Sequence, residues 1–388
     1  MRRLSRARAA AAIVLAGVTA ALVAGYAVFG ASGAAPRTGP VSVGGGLKRA
    51  PGAFVRGDGL IDSGGKRTQL ASPVSGAMIG PLAPVAVRSP DGNLVAYNTW
   101  RELRSTDDRS FSAQGIADGD ALGVPSLRIH DEAGQDTLLA RGAYSVAWRS
   151  DGAVAFVKAT DPVFRAGRAY TGQALVQASA HGRAVPWTSD TAHYVVYAWA
   201  GRRLLLHRVG LGERLELLVA DAPGQVRPLA DGSAIAVSPD GSRVAVVGQD
   251  GTNVRVLDIA TGRELSWLDV TTTTPSLRWV AYSGSWVASH IVAPASAGLA
   301  VFDASGDSLR LEQVLSLDET EFPVGVQEPR FSDDAGNEIS AVADLPPAHG
   351  NGGVSFLLAC DRIARICERG APAPAKEWLR PVDEEGGR

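Results

Sequence analysis

The chain has 388 residues, of which 45% are hydrophobic and 20% charged, and its formal net charge is −2. This length is enough for one large or two ordinary domains with a full core. The near-neutral charge argues against electrostatic binding of nucleic acid, and two cysteines exclude both a disulfide framework and a four-cysteine zinc site.

The N-terminus combines a basic start with a long uncharged segment. Four arginines lie within residues 1–8, and no charged residue follows until after Ala35. Because about 20 helical residues span a bilayer core, residues 9–30 are predicted to form a transmembrane anchor with the basic end in the cytoplasm. A cleaved signal peptide is the alternative, because small residues at 31–34 offer a cleavage site. The C-terminal domain is then expected outside the cell membrane, or secreted.

The remainder of the chain is mildly acidic. Four of the 38 basic residues lie within residues 1–8, which leaves 34 against 40 acidic ones. Such a domain does not suit DNA, RNA or anionic lipid as a partner. Residues 31–52 are rich in Gly and Pro without periodicity, so we expect a flexible linker. Residues 53–388 are expected to form one domain.

Beyond the linker, short alternating apolar runs between turns predict β-strands rather than helices. A tight-turn signal, in its fullest form Ser-Pro-Asp-Gly, recurs near residues 91, 151, 201, 240, 284 and 333. Pro and Gly fit the φ angles of such a turn, and Asp bonds the local backbone. The mean spacing of about 48 residues fits one four-stranded propeller blade per repeat.

The second half of each unit repeats as well, as in residues 254–265 (VRVLDIATGREL). The SPDG hairpin followed by a strand, an Asp-to-Gly turn and a strand resembles the TolB-like and WD-repeat-like β-propellers over about residues 60–381. No Trp-Asp dipeptide closes a strand, unlike in true WD repeats. The Ala-, Gly- and Arg-rich composition is similar to that of an actinobacterial-type member, membrane-anchored or secreted. The resemblance implies an all-β propeller fold, which does not imply one activity.

Six turn signals predict a six-bladed propeller preceded by one N-terminal transmembrane or signal helix. Residues 59–70 look like the second half of a unit that lacks its first half. We expect them to supply outer strands to the last blade and so close the ring, which removes open strand edges. A seventh, partial blade is the alternative.

Cys360 and Cys367 lie in the last predicted hairpin, where they can face each other across a turn at 362–365. Directly opposed strand residues are within disulfide range, and the compartment outside the membrane is oxidising. We therefore predict a disulfide. A redox pair is a weaker interpretation. A metal pair is weaker still, because no His or further Cys accompanies the two thiols.

No motif carries recognisable chemistry: there is no nucleophile elbow with a plausible triad, no zinc-protease signature and no phosphate-binding loop. The six histidines are scattered over different units, so we predict no metal site and no cofactor. The turn residues Asp91, Asp151, Asp240 and Asp333 are interpreted as structural. The tryptophans, Trp267 among them, are interpreted mainly as packing between blades.

Three loops between second and third predicted strands are long: residues 101–125 in the first unit, 160–171 in the second and 345–353 in the sixth. In a six-bladed ring these units are neighbours, so their loops would cluster over one sector of one face. We predict a binding site there, although surface loops without a ligand are the alternative. The candidate residues are Arg101, Asp107, Asp108, Arg109, Phe111, Phe164, Arg165, Arg168, Tyr170 and His349.

These features favour an extracytoplasmic propeller scaffold that binds a protein partner or a cell-envelope ligand without catalysis. The alternative function is a hydrolase, lactonase or lyase with a site in the channel. That alternative requires carboxylates or histidines from several blades to converge on the axis.

Overall fold

The repeat that the turn signals predict takes the form of four-stranded antiparallel units, some of which carry additional strands. The computed structural model describes residues 37–45, 47, 53–56, 59–62, 65–70, 86–102, 121–165, 170–179, 182–210, 214–270, 284–295, 298–305, 308–317, 326–345, 354–374, 379–381 and 383–384. The predicted membrane segment at 9–30 lies outside these ranges. Within them, no helix is long and apolar enough to cross a bilayer.

The described ranges contain strands throughout. Five lie ahead of the repeat: β1 Arg37–Pro40, β2 Ser42–Gly45, β3 Phe54–Arg56, β4 Gly59–Ile61 and β5 Arg67–Gln69. The repeat supplies β6 Ala86–Arg88, β7 Leu94–Glu102, β8 Ala121–Asp131, β9 Asp136–Arg141, β10 Ala143–Trp148, β11 Val154–Ala159, β12 Phe164–Arg165, β13 Gly172–Gln177, β14 Ala184–Pro186, β15 Tyr194–Ala200, β16 Arg203–Val209, β17 Leu215–Ala222, β18 Gln225–Asp231, β19 Ser233–Val237, β20 Arg243–Val247, β21 Asn253–Asp258, β22 Glu264–Asp269, β23 Ser285–Val287, β24 His290–Ala295, β25 Gly298–Asp303, β26 Arg310–Ser316, β27 Val326–Phe331, β28 Glu338–Leu345, β29 Val354–Asp361 and β30 Ile366–Arg369. The C-terminal strands are β31 Ala373–Pro374, β32 Leu379–Pro381 and β33 Asp383–Glu384.

These strands form seven sheets, which we number as blades in chain order. Blade 1 consists of β32, β3, β4 and β5, and blade 2 of β6–β9. Blade 3 consists of β10, β11, β13 and β14, and blades 4, 5, 6 and 7 of β15–β18, β19–β22, β23–β26 and β27–β30. The protein is therefore an all-β propeller with seven blades. The prediction of six blades is wrong, and the alternative of a seventh blade is confirmed.

The extra blade is built from both ends of the chain. The half-unit recognised at residues 59–70 does not join the last blade but forms β4 and β5 of blade 1. Its missing first strand is β32, which pairs antiparallel with β3 so that Arg56 lies opposite Leu379. A strand of three residues is too short to show a periodic pattern. Because no turn signal marks blade 1 either, the repeat of turn signals reveals only blades 2 to 7. The pairing of β3 with β32 closes the ring.

Part of the predicted flexible linker is also ordered into sheets. Residues 37–40 add a parallel fifth strand to β26 at the outer edge of blade 6. Residues 42–45 then add a parallel strand to β30 at the outer edge of blade 7. These two strands cover edges that would otherwise present unpaired backbone groups to solvent.

The core is divided among the contacts between successive blades. Seven clusters of buried apolar side chains occur in the described residues, and each joins two neighbouring blades. The cluster between blades 2 and 3 contains Trp148, which is 1% exposed. The cluster between blades 7 and 1 is the smallest, with Val342, Leu357 and Ala373 as its buried members. Among the described residues, the closing contact of the ring therefore has the fewest buried apolar side chains of the seven.

The recurring aspartates are turn residues, as predicted. The Ser238 hydroxyl donates to Asp240 at 2.6 Å, and the Gly241 amide donates to the Ser238 carbonyl at 2.8 Å. Gly241 has a φ of +68°, a conformation that favours glycine. Hydroxyl groups of Ser238 and Ser242 lower the pKa of Asp240 to about 2. The carboxylate is therefore ionised at neutral pH as the acceptor that fixes the turn.

The predicted disulfide is present in the last hairpin. Cys360 and Cys367 lie directly opposite each other on β29 and β30 and are bonded. Both are buried, and Val43 of β2 lies opposite Cys367 on the other side. In the chain-entropy account, closing this short loop contributes about 2.5 kcal/mol to stability. The disulfide therefore stiffens the hairpin with which the N-terminal strand β2 pairs.

Candidate functional site

The structure divides the predicted site residues into two groups. One group is described: Arg101 is the last but one residue of β7 in blade 2, and Phe164, Arg165 and Tyr170 belong to the loop between the second and third strands of blade 3. The remaining candidates lie outside the described residues: Asp107, Asp108, Arg109, Phe111, Arg168 and His349. The described candidates lie in blades 2 and 3, so the structure shows whether the loops of these two blades meet.

The two loops do meet, through a short sheet. Strand β12 pairs antiparallel with the start of β8, so that Phe164 lies opposite Gly123 and Arg165 opposite Ala121. Residues 121–123 are the point at which the long insertion of blade 2 re-enters its sheet. The pairing thus joins the insertion of blade 2 and the loop of blade 3 into one surface. We call residues 121–123 and 161–165 the loop platform.

An aromatic contact supports the platform from below. The ring of Tyr170 packs on Phe164 at a centroid distance of 4.8 Å and meets Tyr144 edge-on at 5.6 Å. Tyr170 is 6% exposed, and its hydroxyl has no hydrogen-bond partner among the described residues. Burial, and then the negative charge of Asp161, raise the pKa of Tyr170 above its ordinary value. The hydroxyl is therefore neutral and buried beneath the platform.

Local bonds hold the blade 3 loop in place. The Asp161 carboxylate accepts the Val163 amide at 2.9 Å and the Arg165 guanidinium at 3.5 Å. Pro162 packs against the link between blades 2 and 3 so closely that a Cβ on Gly142 would lie 2.8 Å from its Cβ. Gly142 also has a φ of +66°, so glycine is required there on two counts. The platform is thus built on the joint between two blades.

The prediction that the third loop joins the other two assumed a six-bladed ring, which the seven blades do not give. The loop that contains His349 connects β28 and β29, which belong to blade 7. Blade 1 stands between blade 7 and blade 2, whereas a six-bladed ring would have made the two neighbours. His349 itself lies outside the described residues.

Two histidine–carboxylate contacts occur among the described residues, and neither forms a recognisable catalytic or metal centre there. In blade 2, His130 Nδ1 lies 3.3 Å from Asp136 Oδ2, and the Tyr97 hydroxyl donates to the same carboxylate. All three side chains are buried, so this network fastens strands β7, β8 and β9 to one another. The described residues contain no group of three or more His, Cys, Asp or Glu that could hold a metal ion.

The second contact joins blades 6 and 7. Arg362 is 5% exposed and donates to Glu312 at 3.0 Å, while His290 Nε2 lies 3.2 Å from the other oxygen of Glu312. Arg362 also donates to the Gly336 carbonyl. Because Arg362 sits in the turn that the disulfide encloses, this cluster locks that hairpin to blade 6. The cluster therefore has a structural role, which is to hold blades 6 and 7 together.

A groove between blades 4 and 5 was not predicted. It has a volume of about 580 Å³, and Trp267 on its wall is 53% exposed. The interpretation of Trp267 as packing between blades is therefore wrong. Its other lining residues are mostly polar: Asp231, Gly248, Gln249, Asp250, Asn253, Arg255 and Glu264. Trp148 and Trp199, by contrast, do pack between blades, and each indole donates to a carbonyl of the preceding blade at 3.1–3.2 Å.

Fold and surfaces together define a β-propeller with an inserted loop platform. No protein-family model matches the chain. No curated protein matches it either.

Solved propeller structures resemble the chain at low identity. A putative TolB from Agrobacterium tumefaciens is 11% identical, with a TM-score of 0.40 over 64% of this chain and 94% of that one. The Cps50 β-propeller domain of Myceliophteria thermophila is 8% identical, with a TM-score of 0.43 over 80% of this chain and 91% of that one. An acylaminoacyl peptidase from Pyrococcus horikoshii is 10% identical, with a TM-score of 0.45 over 80% of this chain and 47% of that one. The likeness concerns the fold alone, and propellers carry unrelated functions.

Proposed function

We propose that this chain is an extracytoplasmic propeller scaffold that binds a protein partner or a cell-envelope ligand through the loop platform, without catalysis. The observation that carries the proposal is the pairing of β12 with β8, which makes one surface of loops from two blades. Loops of this length in a compact domain are often functional. The enzyme alternative gains no support from the two histidine–carboxylate contacts, because both tie neighbouring strands or blades together.

The attachment of the N-terminus fits a platform that faces away from the membrane. Strand β2 begins where the Ser42 amide donates to the Arg365 carbonyl, in the turn between the third and fourth strands of blade 7. That turn lies on the face opposite the platform, since loops between second and third strands emerge at the other ends of the strands. An anchor at residues 9–30 lies only seven residues before Arg37, a reach of about 25 Å at full extension. The proposed location is the cell membrane, with the propeller outside; secretion after signal cleavage is the other form.

Photo-crosslinking in membranes of the native host tests the platform. Benzoylphenylalanine placed at Phe164 is expected to give a discrete adduct, whose mass identifies the partner or ligand. The same group at Ile363 serves as the matched control, because Ile363 is 59% exposed on the opposite face. Deletion of residues 105–118 is expected to abolish the Phe164 adduct without lowering the melting temperature.

The proposal fails if the two positions give the same adducts, if neither gives one, or if the Phe164 adduct survives the deletion. N-terminal sequencing of the mature protein separates the anchored form, which retains residues 1–30, from the secreted form, which has lost them.

A further inference from the structure

The outer edges of this propeller accept additional strands. Strand β1 pairs in parallel with β26 from Arg37 opposite Gln313 to Pro40 opposite Ser316. Strand β2 does the same on β30, beginning with Ser42 opposite Ile366. In both blades four residues are enough to form the pairing. The fourth strand of a blade in this fold is therefore competent to bind an extended segment in parallel orientation.

Blade 5, the neighbour of blade 6, has such an edge without a fifth strand. In the part of the chain that the structure describes, β22 pairs with β21 alone. Along residues 264–268 of β22, alternate residues thus present their backbone N–H and C=O groups outward. A bare edge of this kind is a template for strand addition.

The side chains beside this edge form an acidic, aromatic groove. Trp267 lies opposite Arg255 on β21, and Glu264 lies opposite Leu257, so Trp267 and Glu264 share the face that is turned towards blade 4. No ring or cation contact covers the Trp267 indole within the described ranges. The indole therefore offers a free face to a ligand.

The charges of the groove complement a cation. Three carboxylates line it, those of Asp231, Asp250 and Glu264, against the single guanidinium of Arg255. Arg255 is already engaged, because its Nη2 donates to the Asp231 carbonyl oxygen. Hydrogen bonds from Thr252 lower the pKa of Asp250, which is therefore ionised at neutral pH. An exposed indole beside carboxylates is suited to a lysine or arginine side chain, through cation–π and ionic attraction.

We propose that an extended, lysine- or arginine-bearing segment of a partner protein adds to blade 5 as a fifth strand, parallel to β22. Its main chain pairs with the bare edge, and alternate cationic side chains enter the groove over Trp267. This surface lies two blades from the loop platform and is independent of it.

Binding of an eight-residue peptide with alternating lysine and valine to the full-length protein tests the proposal. Fluorescence anisotropy of the labelled peptide is expected to show binding that weakens as salt is raised. A glutamate–valine peptide is expected not to bind, and a lysine–valine peptide with alternate backbone N-methyl groups is expected to bind at least tenfold more weakly. The latter loses the main-chain hydrogen bonds while keeping its charge.

Substitutions in the groove test whether the peptide binds at blade 5. Trp267→Ala, and separately Asp250→Asn with Glu264→Gln, are expected to weaken peptide binding at least tenfold, whereas Trp267→Phe retains most of it. Val185→Ala is the matched control, because Val185 is 47% exposed on β14 at the outer edge of blade 3. All of these side chains are partly or fully exposed, and equal melting temperatures verify that the variants fold.

The proposal is overturned if the lysine–valine peptide does not bind, if Trp267→Ala binds it as tightly as the wild type, or if N-methylation has no effect. Binding of cellohexaose that depends on Trp267 while the lysine–valine peptide fails would assign the groove to a glycan instead. Self-association that Trp267→Ala abolishes, in the absence of peptide, would assign the edge to a second copy of the chain.

Discussion

Replacing Trp148 by alanine should cost about 3–5 kcal/mol of the free energy of unfolding. Trp148 is fully buried between blades 2 and 3, and its indole N–H donates to the Val87 carbonyl at 3.1 Å. The substitution removes the largest side chain of that cluster and leaves a carbonyl of the first strand of blade 2 without its donor. Since whole domains are stable by only about 5–15 kcal/mol, this single change should shift a denaturant midpoint strongly.

Two graded variants separate packing from hydrogen bonding. Trp148→Phe retains most of the ring but no donor, so we expect a loss of about 1 kcal/mol from the hydrogen bond plus a smaller packing term. Trp199→Phe removes the equivalent bond to Ala147 in blade 3, from a side chain that is only half-buried. Its cost should be smaller than that of Trp148→Phe. Equal losses for Trp148→Ala and Trp148→Phe in urea titrations would contradict the packing argument.

Lowering the pH should destabilise the protein at pH values that are still well above the pKa range of its carboxylates. The cause is the histidine His207. This side chain is fully buried on β16, and its Nε2 accepts the Ala234 amide of the next blade at 2.9 Å. The ring must therefore be neutral, with its proton on Nδ1. Burial lowers the pKa of His207 to about 3, whereas the unfolded chain binds the proton at about pH 6.5.

The sign of the effect follows from proton binding. Between pH 6.5 and pH 3 the unfolded state holds one more proton than the folded state at His207, so stability falls as pH falls. The loss is about 1.4 kcal/mol per pH unit, or about 2 kcal/mol between pH 7 and pH 5. His207→Gln keeps an acceptor for the Ala234 amide but does not titrate. The difference in unfolding free energy between wild type and variant should therefore change by about 2 kcal/mol over that interval, and parallel pH profiles would refute the assignment.

The features that were predictable from sequence are those encoded locally. Each SPDG-like turn is specified by residues within one hairpin, such as Ser238 and Asp240, and the Cys360–Cys367 pair spans one turn. The half-unit at residues 59–70 indicated a seventh, partial blade only as an alternative. Its first strand, β32, lies more than 300 residues from β3, and no local sequence pattern indicates that the two pair. The error in the number of blades also removed the reason for grouping the loop of the last unit with those of the first two, because that grouping depended on which units are neighbours.

The groove of blade 5 escaped prediction for a different physical reason. Simple alternation along β22 would place Leu265 and Trp267 on one face and Glu264 on the other. The register shifts between Val256 and Leu257, so that Leu265 is the extra residue of a bulge. This bulge brings Trp267 onto the same face as Glu264. A bulge is set by how two strands fit together, and the sequence of one strand does not reveal it.

The pairing of the two chain ends is tested most directly by an engineered crosslink. Arg56 and Leu379 are opposed on β3 and β32, and opposed residues of antiparallel strands lie within disulfide range. The variant carrying both Arg56→Cys and Leu379→Cys should oxidise to a disulfide in the folded protein, seen by mass spectrometry of proteolytic fragments. Arg56→Cys with Glu384→Cys is the control and should stay reduced, because β33 pairs with β6 of blade 2. Two free thiols in the folded Arg56→Cys, Leu379→Cys variant would contradict a seven-bladed ring closed by its own ends.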